Sequence, residues 1–234
     1  MDSITQGFIQ AVHLILHLNP ELFGIILLSL KVSGLALALA AGVGLPLGAL
    51  LGFKQFPGHD LAISATNTFM GLPPVVVGLF VYLLLSRKGP LGFLGLLYSP
   101  TAMIIAQTIL AVPIVTALCH SAIASVEPII RQAARTLGAT PLQETVALIR
   151  EARYGILSAV IAAFGRVMAE VGSILIVGGN IAGYTRVMTT TIALETDKGN
   201  FELALALGII LLAISFIVNT ALHAVQRKGA VASL

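Results

Sequence analysis

Arg166 and Glu170 stand four residues apart in a stretch that is otherwise apolar. At that spacing the two side chains share one face of a helix and can form an ion pair. Charges at membrane depth are costly, and they usually face the interior of a helix bundle or a water-filled cavity. The pair can therefore neutralise itself or line an aqueous pathway. We favour a structural or gating pair over a substrate-binding site.

Two consecutive prolines, Pro73 and Pro74, interrupt a second apolar stretch close to the polar residues Asn67 and Thr68. Proline removes a backbone donor and bends a helix, which frees backbone carbonyl groups. This pattern has two interpretations, a static kink or a break that lines a pathway, and the sequence favours neither.

A glycine-rich stretch, residues 178–186, contains Asn180 and is followed by Thr189 and two further threonines. These hydroxyl groups can hydrogen-bond an oxyanion or form part of a gate. Polar packing at the start of a helix explains them equally well. We retain Asn180 and Thr189 as pathway or gate candidates.

Other reactive residue types are sparse, and we expect no catalytic residue, metal ligand or cofactor on this chain. Cys119, the single cysteine, lies in an apolar segment, which favours a packed and inert thiol. His13 and His17 share a helical spacing but lack the further ligands that a metal site needs. The sequence contains no Gly-x-x-x-x-Gly-Lys-[Ser/Thr] phosphate loop, no Gly-x-Ser-x-Gly and no His-Glu-x-x-His. It also has no basic, aromatic-interleaved patch for nucleic acid.

The composition indicates which elements must position these residues. Of the 234 residues, 57% are hydrophobic and 10% are charged, and the mean hydropathy is +1.00. Soluble domains carry about 25% charged residues, so the surplus apolar surface is expected to face lipid. A span needs about 20 mostly apolar residues. Five stretches qualify: Leu22–Phe53, Leu61–Ser86, Thr101–Val126, Tyr154–Ile181 and Phe201–Val225. The predicted fold class is an all-α integral membrane protein.

The distribution of Lys and Arg between the loops predicts the orientation of these spans. With the N-terminus outside, the inner loops hold the larger share: Lys54, Arg131, Arg135, Arg150, Arg153, Arg227 and Lys228, against Arg87, Lys88, Arg186 and Lys198 outside. We therefore predict N-out, C-in. Residues 1–21 are expected to form an interfacial helix, residues 22–228 a transmembrane domain, and residues 229–234 a tail. The spacing of Gly44, Gly48 and Gly52 predicts close helix packing within the domain.

The loop between the third and fourth spans, residues 125–153, is patterned as two helices. Pro128 suits the first turn of a helix, and Gly138 suits a left-handed C-terminal cap. Thr140 and Gln143 then form a capping box for the second helix. We predict a rigid hairpin on the cytoplasmic face. Its small Ala133 and Ala134 leave a shallow surface that another protein can grip.

This hairpin resembles the cytoplasmic motif of binding-protein-dependent ABC importer permeases, Glu-Ala-Ala-x-x-x-Gly followed, after nine intervening residues, by Ile-x-Leu-Pro. Gln132, Ala133, Ala134 and Gly138 match in register, with Gln132 in place of Glu. Leu148 takes the Ile position, whereas Arg150 and Glu151 stand where Leu-Pro is expected. The resemblance implies a type I importer fold. It also implies that the hairpin docks on an ATP-hydrolysing subunit through Glu127, Gln132, Ala133, Ala134, Arg135, Thr136, Leu137, Gly138 and Ala139.

Three further stretches resemble the molybdate, tungstate and sulfate group of these permeases. They are Leu72–Gly78, Gly165–Gly172 and Gly178–Arg186, and the last is similar to tungstate permeases in particular. The resemblance implies ATP-driven import of a tetrahedral oxyanion through the bacterial or archaeal cytoplasmic membrane, with tungstate first, then molybdate, then sulfate. It also implies an external oxyanion-binding protein, with ATP and Mg bound by the partner subunit.

A chain of five helices is too small to enclose a gated pathway comfortably, so we expect a homodimer about a two-fold axis. One alternative is an ion-coupled secondary transporter, which needs a buried carboxylate, and Glu170 is the candidate. The other is an intramembrane enzyme, which needs a nucleophile and base or metal ligands within the spans.

Overall fold

The computed structural model describes residues 20–232 together with residues 9, 12 and 13, and it describes side chains as far as Ala221 and at Ala224. Most of the predicted interfacial helix, His17 and the last two residues of the predicted tail lie outside this part of the chain. The described elements are helical: α1 Pro20–Phe53, α2 His59–Met70, α3 Pro74–Leu85, a short 3-10 helix Gly92–Leu94, α4 Pro100–Ala124, α5 Pro128–Thr136, α6 Pro141–Met168, α7 Gly172–Gly178, α8 Met188–Asp197 and α9 Phe201–Ala232.

Five membrane spans can be built from these helices. Three are long and apolar enough to cross a bilayer unaided: α1, α4 and residues Phe201–Ala221 of α9. The other two are bent pairs, with α2 and α3 meeting at 95° and α6 and α7 at 59°. The prediction of an all-α membrane protein with five spans is confirmed. Two of the spans are broken helices.

Helix α4 lies at the centre of the bundle. In its apolar window 56% of the residues are buried, against 33% for α1 and 17% for α9. It contacts α1, α2, α3, α6 and α7. Its own buried residues, including Met103, Ala106 and Leu110, form an apolar core with residues of α3 and α7.

The glycines of α1 allow its close approach to α4. A Cβ atom added at Gly44 would lie 2.9 Å from Val115, and one added at Gly48 would lie 2.6 Å from the backbone oxygen of Thr116. At Gly52 the nearest atom of Ile123 would be 2.6 Å away. No other residue type fits these positions without moving a neighbour, which confirms the predicted close packing.

The fourth span departs from its predicted limits, Tyr154–Ile181. Its first helix, α6, begins at Pro141, so the second helix of the predicted hairpin continues without a break into the membrane. The helix then ends at Met168, and the chain bends before α7. Helix α7 begins close against α3, because a Cβ atom at Gly172 would lie 2.9 Å from a side-chain carbon of Val75. At the C-terminal end, α9 runs to Ala232, beyond the predicted end at Val225.

Candidate functional site

The hairpin of α5 and the start of α6 is closed by a Schellman turn. Leu137 is the C-cap residue after α5, and Gly138 follows with a left-handed φ of 76°. The N–H of Ala139 donates to the carbonyl of Ala134, and the N–H of Gly138 donates to that of Arg135, both at 3.0 Å. The predicted role of Gly138 as a C-terminal cap is confirmed.

The capping box at the start of α6 is also present. The Thr140 hydroxyl accepts from the Gln143 N–H at 3.4 Å, and the Gln143 side chain accepts from the Thr140 N–H at 2.8 Å. Both ends of the turn are therefore satisfied by local hydrogen bonds, so little freedom remains between the two helices.

A salt bridge that sequence reasoning missed fastens the two helices together. Arg135 donates to Glu144 through Nε at 2.9 Å and through Nη2 at 3.0 Å, and Arg131 Nε lies 3.4 Å from the same carboxylate. The hydrogen bond from Arg135 holds the pKa of Glu144 below its ordinary value, with Arg131 adding to the effect. The nine-residue separation of Arg135 and Glu144 across a turn hid this pair, since it follows no helical spacing.

The outer face of α5 exposes apolar side chains. Ile129 and Leu137 are 59% and 86% exposed, and Ala133 between them is also exposed, so the three form one strip at four-residue spacing. Ile130 and Ala134 are half-buried against the rest of the chain. Within the described helix α5, no residue is fully buried. Among the residues assigned to docking, Glu127, Gln132, Arg135 and Thr136 are exposed and Ala139 is half-buried. An exposed apolar strip on a stiff helix is typical of a protein interaction site.

The second-span break is sharp. Helix α2 ends at Met70, and Pro73, with φ −63° and ψ 124°, caps α3, whose first residue is Pro74. On α2, Asp60, Ser64, Asn67 and Thr68 together line a shallow recess of about 520 Å³. The exposed Thr68 hydroxyl donates back to the Ser64 carbonyl at 2.8 Å. A polar, exposed stripe therefore runs along one half of an otherwise apolar span.

Arg166 and Glu170 form the predicted pair at the end of α6. Arg166 Nη1 donates to Glu170 Oε2 at 3.0 Å, and the side chain of Glu170 is 3% exposed against 47% for Arg166. The other carboxylate oxygen accepts from the Ser173 N–H at 3.1 Å, in the first turn of α7. Glu170 thus neutralises Arg166 and satisfies a backbone donor that the bend leaves free.

The threonine cluster is buried and bonded internally. The Thr189 hydroxyl donates to the backbone carbonyl of Glu170 at 2.7 Å. Asn180, in a left-handed conformation at φ 50°, accepts from the Thr190 hydroxyl at 2.9 Å. These bonds attach the glycine-rich loop and α8 to the bend of the fourth span. Asn180 and Thr189 therefore lie together with Glu170, whereas Asn67 and Thr68 lie on a separate face of α2.

Two further observations concern reactive groups. The Cys119 thiol is 1% exposed, and its Sγ lies 3.7 Å from the Leu45 carbonyl oxygen. In the part of the chain that the structure describes, no group of three His, Cys, Asp or Glu residues is arranged to hold a metal.

Comparison with known proteins places this arrangement in a family. Residues 44–229 match the family model described as "Binding-protein-dependent transport system inner membrane component". The tungstate uptake system permease protein TupB of Peptoclostridium acidaminophilum is 42% identical over 97% of this chain and 100% of its own length. A probable anion ABC transporter permease protein of Haloferax volcanii is 49% identical over 85% of this chain and 88% of its own.

A solved structure of the MetNI methionine ABC transporter, described as inward facing, has the same fold. Its TM-score is 0.70 at 17% identity, over 86% of this chain and 93% of that one. The likeness confirms the predicted type I importer fold. With its hairpin and its five apolar spans, the chain belongs to the binding-protein-dependent transport system inner membrane components, a family of multi-pass membrane permeases.

Proposed function

We propose that this chain is the permease subunit of an ATP-driven importer for a tetrahedral oxyanion, with tungstate as the preferred cargo, ahead of molybdate and sulfate. The tungstate uptake permease and the probable anion permease described above, both more than 40% identical to this chain, support this class of cargo. The family description supports a separate external binding protein that delivers the anion.

The single observation that carries the proposal is the α5–α6 hairpin. Its closed turn, its double-arginine clamp on Glu144 and its exposed strip of Ile129, Ala133 and Leu137 suit docking against an ATPase subunit. The sequence has no phosphate loop, so ATP and Mg belong on that partner. In this proposal the chain itself is the transport subunit, and the nucleotide site lies on the partner.

Helix α6 supplies the mechanical link between the hairpin and the membrane. It runs unbroken over 28 residues from Pro141 to Met168, which is about 42 Å at roughly 1.5 Å per residue. A displacement of the hairpin on ATP binding is therefore delivered to the bend at Arg166 and Glu170. Hydrolysis then restores the inward-facing state.

The anion pathway is assigned to the two broken spans. Asn67 and Thr68 form part of an exposed polar stripe beside the Pro73–Pro74 break, and Arg166 keeps nearly half of its side chain exposed. Polar side chains in a span are favoured beside water or a partner helix. In this assignment two copies of the chain enclose the pathway. The gate is the bend of the fourth span, and Glu170, Asn180 and Thr189 stabilise it from the buried side. The N-terminus lies outside and the C-terminus inside.

No observation favours the ion-coupled secondary transporter. That alternative needs Glu170 as a proton or sodium site, whereas Glu170 is occupied by Arg166 and by the Ser173 N–H.

Uptake by proteoliposomes tests the proposal. Vesicles containing this chain and its ATPase should take up tungstate from loaded binding protein when ATP is inside, and should stop when ATP is withdrawn. The uptake rates of molybdate and sulfate, each supplied on loaded binding protein, give the order of preference among the three anions. Uptake that persists without ATP, or that follows an imposed proton gradient, would overturn the assignment.

A further inference from the structure

A small cavity with both polar and apolar walls lies beside the break of the fourth span. It is lined by Ser29 and Ser33 of α1, Gln107 of α4, Thr189 of α8 and the methionines Met168 and Met188, among other residues. It offers about 10 Å³ to the centre of a water molecule. That volume is at the lower limit of the roughly 10–15 Å³ that one buried water needs.

Gln107, which lines this cavity, has a buried side-chain oxygen without a partner. Its side chain is 1% exposed, and its Nε2 donates to the carbonyl of Val167 at 3.1 Å and to the Ser33 hydroxyl at 3.4 Å. Its Oε1 is buried and has no hydrogen-bond partner among the described residues. A buried acceptor without a donor is destabilising, because folding takes away its bond to water and supplies none in return.

Rotating the Gln107 side-chain amide by half a turn does not give a better set of hydrogen bonds. In the reversed orientation Oε1 would face the Val167 carbonyl, and two acceptors would meet at 3.1 Å. The orientation is therefore fixed by Val167. Since no described residue donates to Oε1, a water in the cavity that Gln107 lines is the donor that remains.

The hydroxyl groups around the cavity complete the set that a water requires. Ser29 donates to the Ile25 carbonyl and accepts from the Met188 N–H, and Thr189 donates to Glu170. Each of these oxygens retains a lone pair. Ser33 accepts from Gln107, so its hydroxyl hydrogen is available to donate. A water here can donate to Oε1 and to a second hydroxyl oxygen while accepting from Ser33, which matches the usual three bonds of a buried water.

We propose that this cavity is a binding site for a single ordered water, held by Gln107 Oε1 and the Ser33 hydroxyl at the junction of α1, α4, α8 and the α6–α7 bend. Gln107 donates to the carbonyl of Val167, one residue before α6 ends, so the site adjoins the α6–α7 bend of the fourth span. The water therefore lies beside the α6–α7 bend, in the interior of the helix bundle. Its presence does not depend on which anion is transported.

Radiolytic footprinting of the purified full chain tests the site, because radicals formed from a bound water oxidise adjacent side chains, and methionine sulfur is readily oxidised. Met188 is 1% exposed and lines the cavity, whereas Met103 is 0% exposed and lies in the apolar core. Met188 and Met168 should be oxidised several-fold faster than Met103, with the added oxygen drawn from isotope-labelled water. Equal, slow oxidation of Met188 and Met103 would show a dry cavity and refute the site.

Gln107→Leu should bring the oxidation rate of Met188 down to that of Met103, and the thermal unfolding midpoint reports whether the variant is folded. Ser33→Ala is the milder variant, since it removes one water partner and leaves the bond to Val167 intact. It should lower the Met188 rate without unfolding the chain. A folded variant of either kind with wild-type oxidation of Met188 would overturn the assignment of the water ligands.

Discussion

Replacing Gly138 tests whether the turn of the α5–α6 hairpin must stay closed. Gly138 adopts φ 76°, and its N–H donates to Arg135 at 3.0 Å. Proline fixes φ at about −65° and has no N–H, so Gly138→Pro can neither adopt this conformation nor make the bond. The turn must open, and the clamp between Arg135 and Glu144 opens with it.

The milder Gly138→Ala gives a graded version of the same change. An L-residue in the left-handed region costs about 1–2 kcal/mol, which corresponds to roughly a 5- to 30-fold loss in the population of the closed turn. No heavy atom of the described chain lies within 4 Å of an added Cβ atom, so this backbone cost is the whole effect. Gly58 provides the matched control: its φ is 88°, an added Cβ atom there also meets open space, and it lies at the start of α2 rather than in the hairpin.

The assay is ATP-dependent tungstate uptake by proteoliposomes, read beside the ATPase rate and the yield of membrane-inserted protein. Gly138→Pro should abolish uptake while insertion remains normal. Gly138→Ala should reduce uptake, and Gly58→Ala, with the same backbone strain, should leave it close to wild type. Normal import by Gly138→Pro, or an equal loss in both alanine variants, would refute the coupling role of the hairpin.

Three further predictions concern the clamp, the helix packing and the α6–α7 bend. The pKa of Glu144 is lowered chiefly by its hydrogen bond to Arg135, so the clamp is fully formed above the ordinary carboxyl pKa and is lost as pH falls through the lowered value. The protection factors of amide hydrogen exchange over residues 127–144, which are corrected for the intrinsic pH dependence of exchange, should therefore fall in acid, and Glu144→Gln should abolish this fall. Gly48→Ala should lower the free energy of unfolding by about 1–3 kcal/mol through overpacking, which is measured as a lower thermal unfolding midpoint. Gly42→Ala, which is exposed on the same helix, should leave the midpoint unchanged. Glu170→Ala should cost about 1–3 kcal/mol in urea-unfolding free energy because it orphans a buried N–H, and Glu170→Gln, which keeps an acceptor, should cost less.

Local sequence signals determined the membrane class, the number of spans and the ends of the hairpin helices. Hydropathy over about 20 residues is a local property, and so is a cap whose partners lie three residues apart, as Thr140 and Gln143 do. The left-handed turn at Gly138 and the packing glycines of α1 were also readable, because glycine at those positions reports a backbone requirement directly. The pairing of Arg166 with Glu170 followed from helical spacing alone.

The tertiary structure decided what these elements do to one another. The prolines indicated a disturbed second span, but its 95° bend depends on how α2 packs against α4 and how α3 packs against α4 and α7. After the bend that follows Met168, Gly172 lies against Val75, almost a hundred residues away in sequence. The grip of Gln107 on the Val167 carbonyl spans a separation of 60 residues. Such contacts join distant parts of the chain, so no local pattern encodes them, and they appear once the helices are packed.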